Sequence, residues 1–123
     1  MMKYLVFILI AILPGTNALA LDENGNYAVW GVGTKSCFHF TKAFENNDYA
    51  DYSNYAEGFL TAFNITEPKT YNISGQLSLE EILAWVADSC ELKQMHSFEQ
   101  TLLDFIGEHI ESRQRRARTS TGR

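Results

Sequence analysis

Ser78-Leu79-Glu80-Glu81-Ile82-Leu83-Ala84-Trp85-Val86-Ala87-Asp88-Ser89-Cys90 is the stretch on which the fold turns. Ser78 stands where an N-cap is needed, and Glu81 follows three residues later as the reciprocal partner of a capping box. Leu79, Ile82, Leu83, Val86 and Cys90 then recur at the three- and four-residue spacing of a single helical face. The stretch predicts a helix with a buried stripe that ends on a cysteine. Ser97 and Gln100 repeat the start signal downstream, ahead of Phe98, Leu102, Phe105, Ile106 and Ile110. Upstream, residues 35–46 place Cys37, Phe40 and Phe44 on one face, until the turn formers Asn46-Asn47-Asp48 interrupt them. Residues 49–63 space Tyr52, Tyr55, Ala56, Phe59, Leu60 and Phe63 in the same way. Residues 64–77, with Pro68 and Gly75, read as a loop. Only residues 27–32 carry a pattern that suggests a strand. The expectation is an all-α domain of four helices.

Gly58 lies in the middle of the second helix, where it costs about 1 kcal/mol relative to alanine if exposed. A glycine there predicts that another helix or an aromatic ring approaches closely. Phe59 and Trp85, on or beside their apolar stripes, are expected in the core.

The start of the chain points to export. Met1-Met2-Lys3 gives a short positive start, followed by an uncharged apolar run to Pro14 and by Ala18-Leu19-Ala20, the small-x-small pattern of a signal-peptidase site. The apolar run is shorter than the roughly 20 residues a membrane span needs. Residues 1–20 are therefore read as a signal peptide cleaved near Ala20, with a periplasmic or secreted mature chain that has no integral membrane association. That mature chain divides into an extended segment at 21–33, a helical domain at 34–111 and a basic tail at 112–123.

Export decides how the two cysteines read. An even pair in a small exported domain is most economically a structural disulfide, Cys37–Cys90. Closing a loop of this length stabilises the fold by about 4 kcal/mol in the chain-entropy model. The bond would pin the first helix to the third.

Charge is uneven. Residues 21–111 hold all 15 carboxylates against four lysines, a net charge of −11. Phosphate would be repelled by this body, so nucleic acid is not an expected partner. Residues 112–123 carry five arginines and no acid. Such a terminus is most often solvated, and no folded structure is expected of it.

Chemical motifs mostly dissolve. Gly31-Val32-Gly33-Thr34-Lys35-Ser36 lacks the residue order and the upstream glycine of a phosphate loop. His39, His96 and His109 are scattered and fit surface or helix-end positions better than a metal site. Glu80/Glu81, Asp48/Asp51 and Asp88/Glu91 fit helix starts or solvated faces, and without a pocket they identify no acid and base. A Cys37–His39 nucleophile would need a free thiol. No metal, cofactor or catalytic residue is expected, and the chain does not read as an enzyme. Asn64-Ile65-Thr66 and Asn72-Ile73-Ser74 match the glycosylation sequon, a triplet that also arises often by chance.

Three segments carry a resemblance: Ser36-Cys37-Phe38-His39-Phe40, the run from Tyr55 through Gly58 to Asn64, and Trp85-Val86-Ala87-Asp88-Ser89-Cys90. Their order resembles the periplasmic acid-stress chaperones of the HdeA/HdeB type and the Rap/Tai-type immunity proteins of type VI secretion. The resemblance spans about residues 34–110. It implies a non-catalytic protein-binding domain, with Tyr52, Tyr55, Phe59, Phe63 and Trp85 as its packing or client face. In the chaperone form, acid would carry the mature chain from −6 to about +12, loosening the helices onto client proteins. In the immunity form, the acidic body would dock on a basic toxin. A homodimer is compatible with either form. A small secreted hydrolase using an acidic pair is the alternative of another class.

Overall fold

The structure, a computed structural model, describes residues 21–118. The signal-peptide reading therefore lies outside the described residues, as does the end of the basic tail. Within them, a single 3-10 turn at Gly31–Thr34 precedes four helices, α1 (Cys37–Glu45), α2 (Ala50–Thr66), α3 (Leu79–Leu92) and α4 (Phe98–His109). The described chain contains no strand, only two isolated bridges, so the domain is all-α. No described helix is long and apolar enough to cross a membrane.

Local sequence chemistry sets three of the four helix starts. The Ser78 hydroxyl accepts the Glu81 N–H at 3.2 Å, while the Ser78 N–H donates to Glu81 Oε2 at 2.7 Å. Ser97 and Gln100 make the same reciprocal pair at 3.1 Å each. Ser36 caps α1 by accepting from the His39 N–H. The starts of α1 and α4 are then tied together: Cys37 N–H donates to the His96 carbonyl at 2.7 Å, and Phe98 N–H to the Lys35 carbonyl at 2.8 Å. The Cys37–Cys90 disulfide, with an S–S distance of 2.05 Å, joins this paired end to the last turn of α3. Thr101 is fully buried beside it, its hydroxyl donating to the Ser97 carbonyl and lying 3.2 Å from the Cys37 sulfur.

Two apolar clusters make the core. One surrounds the disulfide and is built from Phe40, Tyr52, Ala56, Leu83, Val86, Phe98 and Leu102. The second comprises Leu60, Ile73, Ile82, Phe105 and Ile106. Phe59 and Trp85 are half-buried and pack against both, bridging the two clusters.

Several sequence readings are corrected. Helix α2 runs on to Thr66 rather than stopping at Phe63, and the loop begins later than residue 64. Asn64 does not break the helix, because its side chain accepts the Ile73 N–H at 2.8 Å. The helix ends at Glu67, whose extended backbone is what a following proline demands. Residues 27–32 form no strand: no neighbouring edge pairs with them, and Gly31, at φ 61°, turns the chain into the 3-10 turn. The tail is folded as far as it is described. Gln114 bridges to Asn72 through backbone hydrogen bonds at 2.9 and 3.0 Å, Arg113 Nε donates to the Thr70 hydroxyl, and Arg118 donates to Gln76. Gly58 is also misread. A Cβ there would meet nothing within 4 Å, whereas a Cβ on Gly33 would fall 2.3 Å from the Tyr55 ring. The close aromatic approach exists, but at the glycine 25 positions earlier in the sequence.

Candidate binding groove

The open face over Gly58 is a groove of about 400 Å³. Its floor is the middle of α2, where Asn54, Tyr55, Gly58 and Phe59 share one face; residues 27–30 of the extended segment form its wall. The groove exists because the 3-10 turn anchors that segment. Gly33 is buried flat against Tyr55, and only a residue without a side chain allows so close an approach. From there the chain runs back across α2 toward the first turn of α4.

Glu99, on that first turn, also lines the groove. It is only 3% exposed, a rare state for a carboxylate. The Tyr27 hydroxyl donates to its Oε1 at 2.9 Å, a hydrogen bond that fastens the wall to the body across 72 residues of sequence. The same bond stabilises the protonated phenol, raising the Tyr27 pKa above the usual tyrosine value; burial and the Glu99 charge add to the rise. Tyr55 is raised first by burial and then by the charge of Glu99. Glu99 takes part in no ion pair among the described residues; Lys93 pairs with Asp104 there, and His96 lies 3.9 Å from the same carboxylate. Trp30, at the rim, is 81% exposed.

Rings support the floor from beneath. Tyr55 stacks on Phe59 with centroids 5.9 Å apart and leans on fully buried Phe98 at the same distance. Phe98 in turn packs on Phe40 and Tyr52, at 4.8 and 5.0 Å. The groove therefore rests on the disulfide cluster.

Compared with known proteins, the chain matches no family model, no curated protein and no solved structure.

Of the five residues expected to form a packing or client face, the structure brings two to the groove, Tyr55 and Phe59. Tyr52 is buried between Phe40 and Phe98. Phe63 packs on the second cluster, and Trp85 packs edge-to-face with Phe105 and His109 at 5.4 and 5.7 Å. The three histidines are dispersed: His39 contacts Ser36, His96 faces Asp104 at 3.9 Å, and His109 closes α4 by bonding the Phe105 carbonyl. Among the described residues, no group of three or more His, Cys, Asp or Glu side chains is placed to hold a metal ion. Sequence reasoning missed Tyr27, Trp30 and Glu99. The available signal was the pair of aromatics in a short segment that no helical periodicity claims.

Proposed function

We propose that the chain is an exported, non-catalytic protein-binding domain that engages its partner in the folded state, through the groove over Gly58. The supporting observation is the glycine itself. It lies in the interior of α2, is exposed, and has nothing within 4 Å of the place a Cβ would take. Alanine would fit there and would favour the helix by about 1 kcal/mol. What the glycine does for the folded chain is to leave the groove floor bare. The arrangement suits the immunity-like form of the function, in which an acidic body meets one basic partner near neutral pH.

The test is capture of exported proteins at neutral pH by the wild-type chain and by Gly58→Trp, which fills the groove from an open position. Loss of a defined partner from the variant, with an unchanged melting temperature, is the expected result. Equal capture by both chains would refute the groove as the binding site.

The acid-chaperone form is supported by a different feature. Helix α2 carries no covalent cross-link and is held by packing and by the Asn64–Ile73 hydrogen bond, while the disulfide ties α1 to α3. The chain carries 15 carboxylates, all but Glu99 outside the core, and few have a cationic partner among the described residues. Protonating them leaves a strongly positive body whose self-repulsion favours release of α2 and exposure of Tyr52, Ala56 and Leu60. Protection of several unrelated clients below about pH 4, undiminished in Gly58→Trp, would select this form over the first.

A further inference from the structure

We infer that the occupant of the groove is an arginine side chain presented by the partner protein, with Glu99 as its counter-charge; this rests on the protein-binding reading and names what that site recognises. Three observations converge on it. Glu99 is a buried carboxylate whose hydrogen bond comes from an uncharged phenol and which has no cation against it among the described residues. The rest of the groove lining is largely aromatic, with Tyr27, Trp30, Tyr55 and Phe59, the residue type whose ring quadrupole attracts cations. The surrounding body, residues 21–111, carries a net charge of −11, so a cation is drawn in and an anion repelled.

Other occupants fit less well. A neutral apolar side chain would cover Glu99 further and leave its charge unpaired, which is costly in a low-dielectric setting. A cation converts the same burial into a favourable pair. Arginine suits the site better than lysine, because its planar guanidinium stacks on aromatic faces, is weakly hydrated, and can present two N–H groups to one carboxylate. The bare floor at Gly58 leaves room for the three-carbon stem to lie along α2.

The experiment uses the oxidised chain carrying Trp85→Phe, which leaves Trp30 as the single tryptophan and hence as reporter at the groove rim. The probe is acetyl-Gly-Arg-Gly-amide, and the control is the same peptide with citrulline, which keeps the shape of arginine and removes its charge. The arginine peptide should shift Trp30 emission and bind about tenfold more tightly than the citrulline peptide, the scale of one good cation contact. Glu99→Gln, which keeps an acceptor for Tyr27, should reduce that preference to within about twofold. Trp30→Ala, a change at an exposed rim position, should weaken arginine-peptide binding when followed by NMR shifts at Tyr55 and Phe59. Equal binding of the two peptides would overturn the arginine assignment while leaving the groove a binding site. The absence of any shift with either peptide would overturn it too. A Trp30 already shielded from iodide in the free chain, and exposed on deleting residues 119–123, would assign the groove to the chain's own tail instead. Failure of the underlying reading has a separate signature, undiminished partner capture by Gly58→Trp.

Discussion

The disulfide half of the core and the far half are closed by different means. Around Cys37–Cys90, closure is covalent and aromatic: Phe40, Tyr52 and Phe98 meet with ring centroids 4.8–5.1 Å apart, next to the cross-link. At the other end, Leu60, Ile82, Phe105 and Ile106 are closed by a mostly polar loop, on which the tail docks. The loop contributes one core side chain, the fully buried Ile73, and the tail is held by hydrogen bonds to Thr70, Asn72 and Gln76. The groove stands on the first half through the Tyr55–Phe98 contact. The proposed partner site is thereby mounted on the cross-linked half, away from the end that the polar loop closes.

Removing the cross-link should have the largest effect on this contrast. Cys37→Ala/Cys90→Ala is expected to lose about 4 kcal/mol of unfolding free energy in denaturant titration, the entropy of a loop of this length. Equal hydrogen-exchange protection of the two halves in that variant would show that the cross-link is what sets them apart. Ile73→Ala comes next, at about 2–4 kcal/mol for an aliphatic side chain lost from a closed core. In the Trp85→Phe background, where Trp30 is the single tryptophan, its emission should be unchanged, because Ile73 belongs to the far cluster. A shifted Trp30 spectrum would mean that the halves are mechanically coupled. Ending the chain after Glu111 removes the hydrogen bonds of residues 112–118 and should cost about 1–2 kcal/mol, given that these bonds are partly exposed. Native-state exchange should then quicken in residues 70–77 and not in α1.

Two smaller effects probe the groove half. Gly58→Ala should stabilise the chain by about 0.5–1 kcal/mol, visible as a rise in melting temperature. Destabilisation would show that the floor is not open. Raising the pH tests burial of the tyrosines. Burial holds Tyr52 and Tyr55 protonated above the usual tyrosine value, so the folded chain retains protons that the unfolded chain has released. Their contribution is intact below about pH 10 and declines as the pH climbs toward the folded values. Tyr52→Phe should flatten that alkaline fall in melting temperature.

What could be read from the sequence was what a few neighbouring residues decide. Ser78 with Glu81 and Ser97 with Gln100 announce their helices because a capping box is closed within four residues. The cysteine pairing was legible because only two cysteines are present. The errors share a cause, a partner far away in the chain. Asn64 looks like a helix terminator, yet its side chain serves Ile73 nine residues on. The tail looks unstructured by hydropathy, yet it docks through polar groups, which apolar periodicity does not register. Gly33 and Gly58 exchange roles because the ring that presses on Gly33 belongs to Tyr55, on another element. Glu99 reads as an ordinary acid at a helix start. Its burial follows from how Tyr27 and the rest of the extended segment fold over it, across 72 residues.

The most direct test of the central claim, that the folded chain binds through the groove on its disulfide half, is an amide hydrogen-exchange footprint at neutral pH, with and without the captured partner. Added protection should concentrate in residues 27–30 and 54–59, with the loop at 67–77 and the tail unchanged. Protection confined to the loop and tail, or a general loss of protection across α2 on binding, would contradict it.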